Sequence, residues 1–376
     1  MVRIIYISPN AGEGRGLYIL NLNIIKILNE LVDDPPEIKL FESKFEFCAL
    51  WMPFRFFKFI LNQFLCAKYL LKLCPNKSII LFSMGLSFSL ALLIAKMRGI
   101  RTIYFISGLS GYDANINIAR LIYRQSLFGL GRQIFPIIIS NLEKLNYNLA
   151  DIIVVESPGL SKPVIPEIFY KKPILVGSLF VDEIMFFPKN QLSSRRYNVG
   201  YFGALKEHKG VLNFIEAIPI LLKKRDNLKF IIGGDGPERI NIMKYLNDRH
   251  DLGNVFLSGN ISHKKMPDYL NDTMILVIPS YGEGLPNIVL ESMACGTLVL
   301  AVPIGGIPDV IINDDTGFLM ENNSPECIAS NVIRILEHDD LEGVASRARA
   351  LIERKFTFDN AKDRWKKIIE VLGENK

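Results

Sequence analysis

Two glutamates separated by seven residues bracket the segment Glu283-Gly284-Leu285-Pro286-Asn287-Ile288-Val289-Leu290-Glu291. An apolar run closing at Pro279 reads as a buried strand feeding this segment. Pro286 suits the first position of a helix, where a missing N–H is no loss. The amides around Gly284, Leu285 and Asn287 would then point out of a helix N-terminus, which favours phosphate or sugar oxygens. Glu291 falls about one turn inside that helix. A carboxylate can accept from two vicinal hydroxyls at once with charge-assisted strength. Taken singly, Glu283 reads as a solvated loop carboxylate and Glu291 as a helix-surface charge. Their combination with the Gly and Pro between them and the turn at Gly305-Gly306 points to a ligand site.

Such residues need elements to hold them. Val2–Ser8 is a strand-length apolar run followed by a glycine turn, Gly12 to Gly16, and helical spacing over Leu17–Leu31. Strand-like and helix-like segments then alternate: Ser78–Phe82, Leu86–Met97, Thr102–Ile106, Ile137–Leu149 and Asp151–Val155. The second half repeats the rhythm from Tyr197–Phe202 through Val211–Lys224, Leu228–Ile232, Met274–Pro279 and Leu298–Val302 to a helix over Ser324–His338. This alternation predicts an α/β protein with two doubly wound, Rossmann-like domains joined within Gly177–Pro188. Residues 78–95 hold no charge over 18 positions, the lower limit for a membrane-spanning helix. They divide naturally into a strand and a helix, and that division is the expectation. The turn at Gly12 to Gly16 is not G-x-G-x-x-G, and no acidic residue ends a following second strand, which argues against nicotinamide binding.

Several spaced motifs together resemble the retaining glycosyltransferases of family 4. They are the Glu283–Glu291 segment, Ser292–Gly296, Thr297–Ala301, Gly305–Asp309, Asp315–Leu319, the turn Gly233–Pro237 and the loop Gly203–Gly210. The resemblance implies a GT-B fold with two Rossmann-like domains facing a central cleft. Residues 1–180 would bind the acceptor and 181–356 a nucleotide-sugar donor, with a helix in 357–376 returning to the first domain. It implies that Glu283 contacts the transferred sugar and Glu291 the ribose hydroxyls. Gly284, Leu285, Pro286, Asn287, Gly203, Lys206, Gly234, Asp235 and Gly236 would complete the donor site. Lys209 would neutralise the diphosphate as it leaves, where charge develops in the transition state. The family's arginine in that loop is replaced by Ala204, with Lys206 or His208 as substitutes. Gly14, Arg15 and Gly16 would meet the diphosphate or acceptor. The family's first-domain histidine is missing, since all four histidines lie in the second half, and Asp113 is the remaining polar candidate there. In a retaining front-side reaction the departing phosphate can take the acceptor proton. No metal and no cofactor beyond the nucleotide-sugar is expected.

Of 376 residues, 49% are hydrophobic and the net charge is +5, which excludes a disordered or low-complexity chain. The charge is uneven. Residues 1–180 carry 20 Lys and Arg against 12 Asp and Glu, and residues 47–142 hold eleven basic residues and one acidic one. With the aromatic stretch around Arg55, Phe56, Phe57 and Lys58, this favours peripheral binding to an anionic membrane surface. Nucleic acid is not an expected partner, because no recognised module is present. Five cysteines without a Cys-x-x-Cys pair read as buried thiols in a reducing compartment. Met1–Pro9 lacks the features of an export signal. The expected location is cytoplasmic, on the inner face of the membrane. The acceptor would be a lipid-linked or surface-glycan precursor and the donor a UDP- or GDP-sugar. A sugar-nucleotide epimerase or hydrolase, or a non-catalytic nucleotide-sugar-binding subunit, are the alternatives.

Overall fold

A computed structural model describes residues 3–9, 16–31, 36–41, 64–75, 78–83, 89–106, 141–160, 172–177, 180–249 and 253–374. The chain divides into two compact units, one formed by Met1–Phe180 with Phe358–Lys376 and the other by Val181–Thr357.

The first unit contains a six-stranded, wholly parallel sheet of order β2-β1-β3-β4-β5-β6. Its strands are β1 (Arg3–Pro9), β2 (Glu37–Phe41), β3 (Ser78–Ser83), β4 (Arg101–Ile106), β5 (Ile152–Val155) and β6 (Ile174–Val176). The uncharged stretch beginning at Ser78 divides into β3 and a helix over Ser89–Met97. Serines and Gly85 interrupt its apolar run, so each half reaches only the length of an ordinary element. Among the described residues no helix is long and apolar enough to cross a membrane.

The helix Phe358–Glu374 belongs to this first unit. Ala361, Trp365, Ile368 and Leu372 recur at helical spacing and are buried with Ile4, Tyr6, Phe105 and Val154 of the sheet. The Trp365 ring lies 5.7 Å from that of Phe105. A Cβ on Gly177 would come within 3.1 Å of Trp365 and 2.5 Å of Val154, so only glycine leaves room for the indole. Burial of each large apolar side chain contributes about 1.5–3 kcal/mol, ample to hold a 17-residue helix on the sheet.

The second unit holds another parallel sheet, of order β12-β11-β10-β7-β8-β9. Its strands are β7 (Tyr197–Phe202), β8 (Phe230–Gly233), β9 (Val255–Gly259), β10 (Thr273–Ile278), β11 (Leu298–Ala301) and β12 (Phe318–Leu319). Strand order reverses between β7 and β10, which pair directly. In open α/β sheets ligands bind beyond the carboxyl ends of the strands at such a switch point. The opposite edge is fastened by Arg195, which is only 8% exposed. Its guanidinium donates to the carbonyls of Leu270, Thr273 and Cys295 and to Thr297 Oγ1, at 2.8–3.1 Å.

All four cysteines among the described residues are free thiols. Cys66 and Cys295 are buried, and burial pushes both thiols up to about 12. Cys74 is exposed, contrary to the expectation of buried thiols, because it lies in the turn that follows the helical residues 64–70.

Candidate functional site

The loops after β7 and β10 meet at the switch point. Lys209, in the first loop, donates from Nζ to both carboxylate oxygens of Glu283, at 2.7 and 2.8 Å. Ser280 Oγ donates to Glu283 Oε1 at 2.6 Å. The Glu283 side chain is only 12% exposed, so it is not a solvated loop charge. Gly210 makes the approach possible. It adopts φ +69°, and a Cβ there would collide with the Pro279 carbonyl. Tyr281 N–H donates to the His208 carbonyl at 3.0 Å, sealing the two loops together. Asn213, on the helix Val211–Lys224, donates to Tyr281 Oη and the Asn323 carbonyl, and Asn323 donates to the Pro279 carbonyl.

The helix after β10 runs over Asn287–Ala294. Pro286 lies one residue earlier than the expected first helical position: its ψ of 127° is extended, and it caps the helix. Its carbonyl accepts from Val289 N–H at 3.0 Å. The first-turn amides of Asn287 and Ile288 have no intrahelical acceptor and point out of the N-terminus. The helix closes at Gly296, φ +66°, with Thr297 N–H bonded to the Ser292 carbonyl. Glu291 is 7% exposed rather than a surface charge. His263 Nε2 lies 2.8 Å from its Oε1, and that hydrogen bond holds the imidazole pKa above its ordinary 6.5. Leu285 is buried in the same core as Val289 and Leu290.

Other predicted residues shape the loops through their backbones. Gly203 N–H donates to Gly233, Leu205 to Asp235, Gly234 to Gly259 and Gly306 to Gly284. Gly236 N–H donates to Asp235 Oδ1 at 2.9 Å. These amides are therefore engaged within the loops. A Cβ at Gly234 would strike the Gly203 carbonyl and one at Gly305 the Glu283 carbonyl, so these glycines let the loops close on one another. Lys206 is exposed, whereas burial and the neighbouring Lys209 and Lys206 pull the His208 pKa down to about 4. His208 is therefore uncharged near neutral pH.

Gly16 opens the helix Gly16–Leu31 after β1. Gly14, Arg15, Asp113 and the Arg55, Phe56, Phe57 and Lys58 patch lie outside the described residues. Sequence reasoning missed Ser280 and His263 as partners of the two glutamates. Ser280 stands three residues from Glu283, but His263 is 28 residues from Glu291, and no spacing rule joins them.

Residues 182–354 match the family described as glycosyl transferases group 1. An uncharacterized glycosyltransferase of Methanocaldococcus jannaschii is 26% identical over 238 residues, 61% of this chain and 60% of its own length. The N-acetyl-alpha-D-glucosaminyl L-malate synthase of Bacillus anthracis is 24% identical over 63% of this chain and 64% of its own length. The chain thus spans less than two thirds of either relative. The crystal structure of Anabaena HepE in complex with UDP superposes with a TM-score of 0.74, at 14% identity, over 98% of this chain and 100% of that one. That likeness establishes a GT-B fold. The switch-point site and the family match fall in the same half of the molecule: the matched residues 182–354, which lie within the unit Val181–Thr357, are similar to the group 1 glycosyl transferases.

Proposed function

We propose that the protein is a retaining, metal-independent glycosyltransferase of family 4. It moves a sugar from a UDP- or GDP-sugar to a lipid-linked or surface-glycan acceptor at the cytoplasmic face of a membrane. The observation that carries this reading is the Lys209–Glu283 pair at the switch point of the second sheet, with Glu291 one turn into the following helix. Glu283 accepts hydroxyls of the transferred sugar, and Glu291 those of the nucleotide ribose. Lys209 turns from Glu283 to the diphosphate and stabilises the charge that develops on it as the sugar leaves. The free amides of the helix N-terminus act in the same sense. The leaving phosphate oxygen takes the acceptor's proton, so no histidine base is required. The lowered pKa of His208 favours the exposed Lys206 for the second cationic role that Ala204 cannot fill. The HepE fold solved with UDP supports a nucleotide-sugar donor.

Two measurements test it. UDP or GDP at a hundredfold excess over its Kd is expected to stabilise the protein by about 2.7 kcal/mol in a thermal-shift assay. With the matching nucleotide-sugar, the product should be a glycoside of the α or β configuration present in the donor. Free sugar formed equally fast without any acceptor would identify a hydrolase instead. The membrane assignment rests on Arg55 and Lys58 with their aromatic neighbours. Flotation with anionic liposomes at low salt should carry the protein, and Arg55→Gln with Lys58→Gln should weaken it. Equal recovery on neutral and anionic vesicles would contradict an electrostatic membrane contact.

A further inference from the structure

Glu291 has a neighbour that the donor-binding scheme does not use. His263 opens the short helical turn His263–Lys265 after β9, while Glu291 lies on the helix Asn287–Ala294 after β10. Two separate elements thus converge on one hydrogen bond of 2.8 Å, between side chains 32% and 10% exposed. The Phe186 ring packs against the imidazole with its centroid 5.3 Å away. Glu291 and Asp182 are the acidic groups that favour its charged form, and Lys264 and Lys265 follow it in the chain. On its own helix, Cys295 N–H bonds the Glu291 backbone carbonyl and not the carboxylate, which is held by His263 from a different element. Without His263, its carboxylate would rotate about its last torsion, which is a broad well.

We propose that His263 is a positioning residue for nucleotide binding: its Nε2–H holds Oε1 of Glu291 and so orients Oε2 toward the vicinal hydroxyls of a ribose. The proposal rests on the assignment of Glu291 to the ribose. A carboxylate with one oxygen tied and the other free presents a fixed acceptor to a diol, and the ordering is done before the ligand arrives. The arrangement acts on affinity for the nucleoside part and not on the chemical step.

The test compares UDP and GDP with their 2′,3′-dideoxy forms, by calorimetry, on wild type, His263→Ala, His263→Gln and Glu291→Ala. Wild type should prefer the ribose form of the nucleotide that it binds. His263→Ala should weaken that nucleotide roughly tenfold, the scale of one charge-assisted hydrogen bond, and lose most of the ribose preference. His263→Gln, whose amide also donates, should recover most of both, with kcat at saturating donor little changed. The wild-type preference should also be strongest at acidic pH, where the imidazole is protonated, and weaken as pH rises through its raised pKa. The Gln variant should lack that slope. If His263→Ala keeps the full ribose preference while Glu291→Ala loses it, the role of His263 is wrong. If Glu291→Ala keeps it too, the assignment of Glu291 to the ribose fails instead.

Discussion

Glu283→Gln should lower the rate of sugar transfer by roughly 10³-fold while leaving the protein folded. The amide matches the carboxylate in shape and can still accept from Ser280 Oγ, which sits 2.6 Å from Oε1. It cannot carry the negative charge that faces the sugar as its bond to the diphosphate breaks. It also gives Lys209 one acceptor where the carboxylate gives two, at 2.7 and 2.8 Å. Lys209 is 29% exposed and can take up water, so the stability loss should be about 1 kcal/mol. Lys209→Met should behave differently. On the proposed mechanism it removes the cation opposite the leaving diphosphate, at a cost of about 10²–10³ in rate. It also leaves the 12% exposed Glu283 without its counter-charge, so unfolding should occur at a visibly lower temperature. Steady-state transfer, nucleotide affinity and thermal melts on both variants separate these effects. A Glu283→Gln enzyme as active as wild type would remove Glu283 from the reaction.

How far the sequence could be read differs from one element to the next, for physical reasons. Parallel strands buried on both faces write themselves as apolar runs, so β1, β3, β7 and β10 are visible without any partner. Strands β6 and β12, with three and two residues, fall below the length at which periodicity means anything. Glu283 and Glu291 were legible because strand, proline and helix sit in one continuous segment. The Lys209–Glu283 pair joins positions 74 residues apart, and only the strand order, which sets β7 beside β10, brings them together. The glycines at 203, 234 and 236 entered through the resemblance of their loops to the family's, but the sequence could not say that their amides are engaged within the loops. His263 carries no signal of its own, since a histidine between Ser262 and Lys264 resembles any solvated turn.

Arg195→Met should destabilise the second unit by about 3–5 kcal/mol. Among the described residues, the guanidinium has no carboxylate within hydrogen-bonding distance. Its acceptors are a threonine hydroxyl and three carbonyls from the segments that enter β10 and β11, with the Asn190 carbonyl at 3.4 Å as a fifth. Burial pulls its pKa below the ordinary arginine value, yet the two terminal nitrogens of its rigid fork reach all of these acceptors at once. Methionine fills much of the volume and removes those bonds; the Leu270 carbonyl keeps the Thr297 hydroxyl as a donor, while each acceptor left without one costs about 1–3 kcal/mol. Lysine keeps the charge but not the fork, so Arg195→Lys should fall between methionine and wild type. For a unit of this size the methionine variant should melt roughly 10 °C lower. Its position makes the prediction selective. Arg195 ties the amino ends of the strands, whereas Glu283, Lys209 and Glu291 stand beyond their carboxyl ends. At a temperature where the variant is still folded, UDP or GDP should therefore bind it as tightly as wild type. A variant that melts normally would show that the carbonyls find other donors, and one that melts normally but loses the nucleotide would place Arg195 in the binding site rather than beneath it.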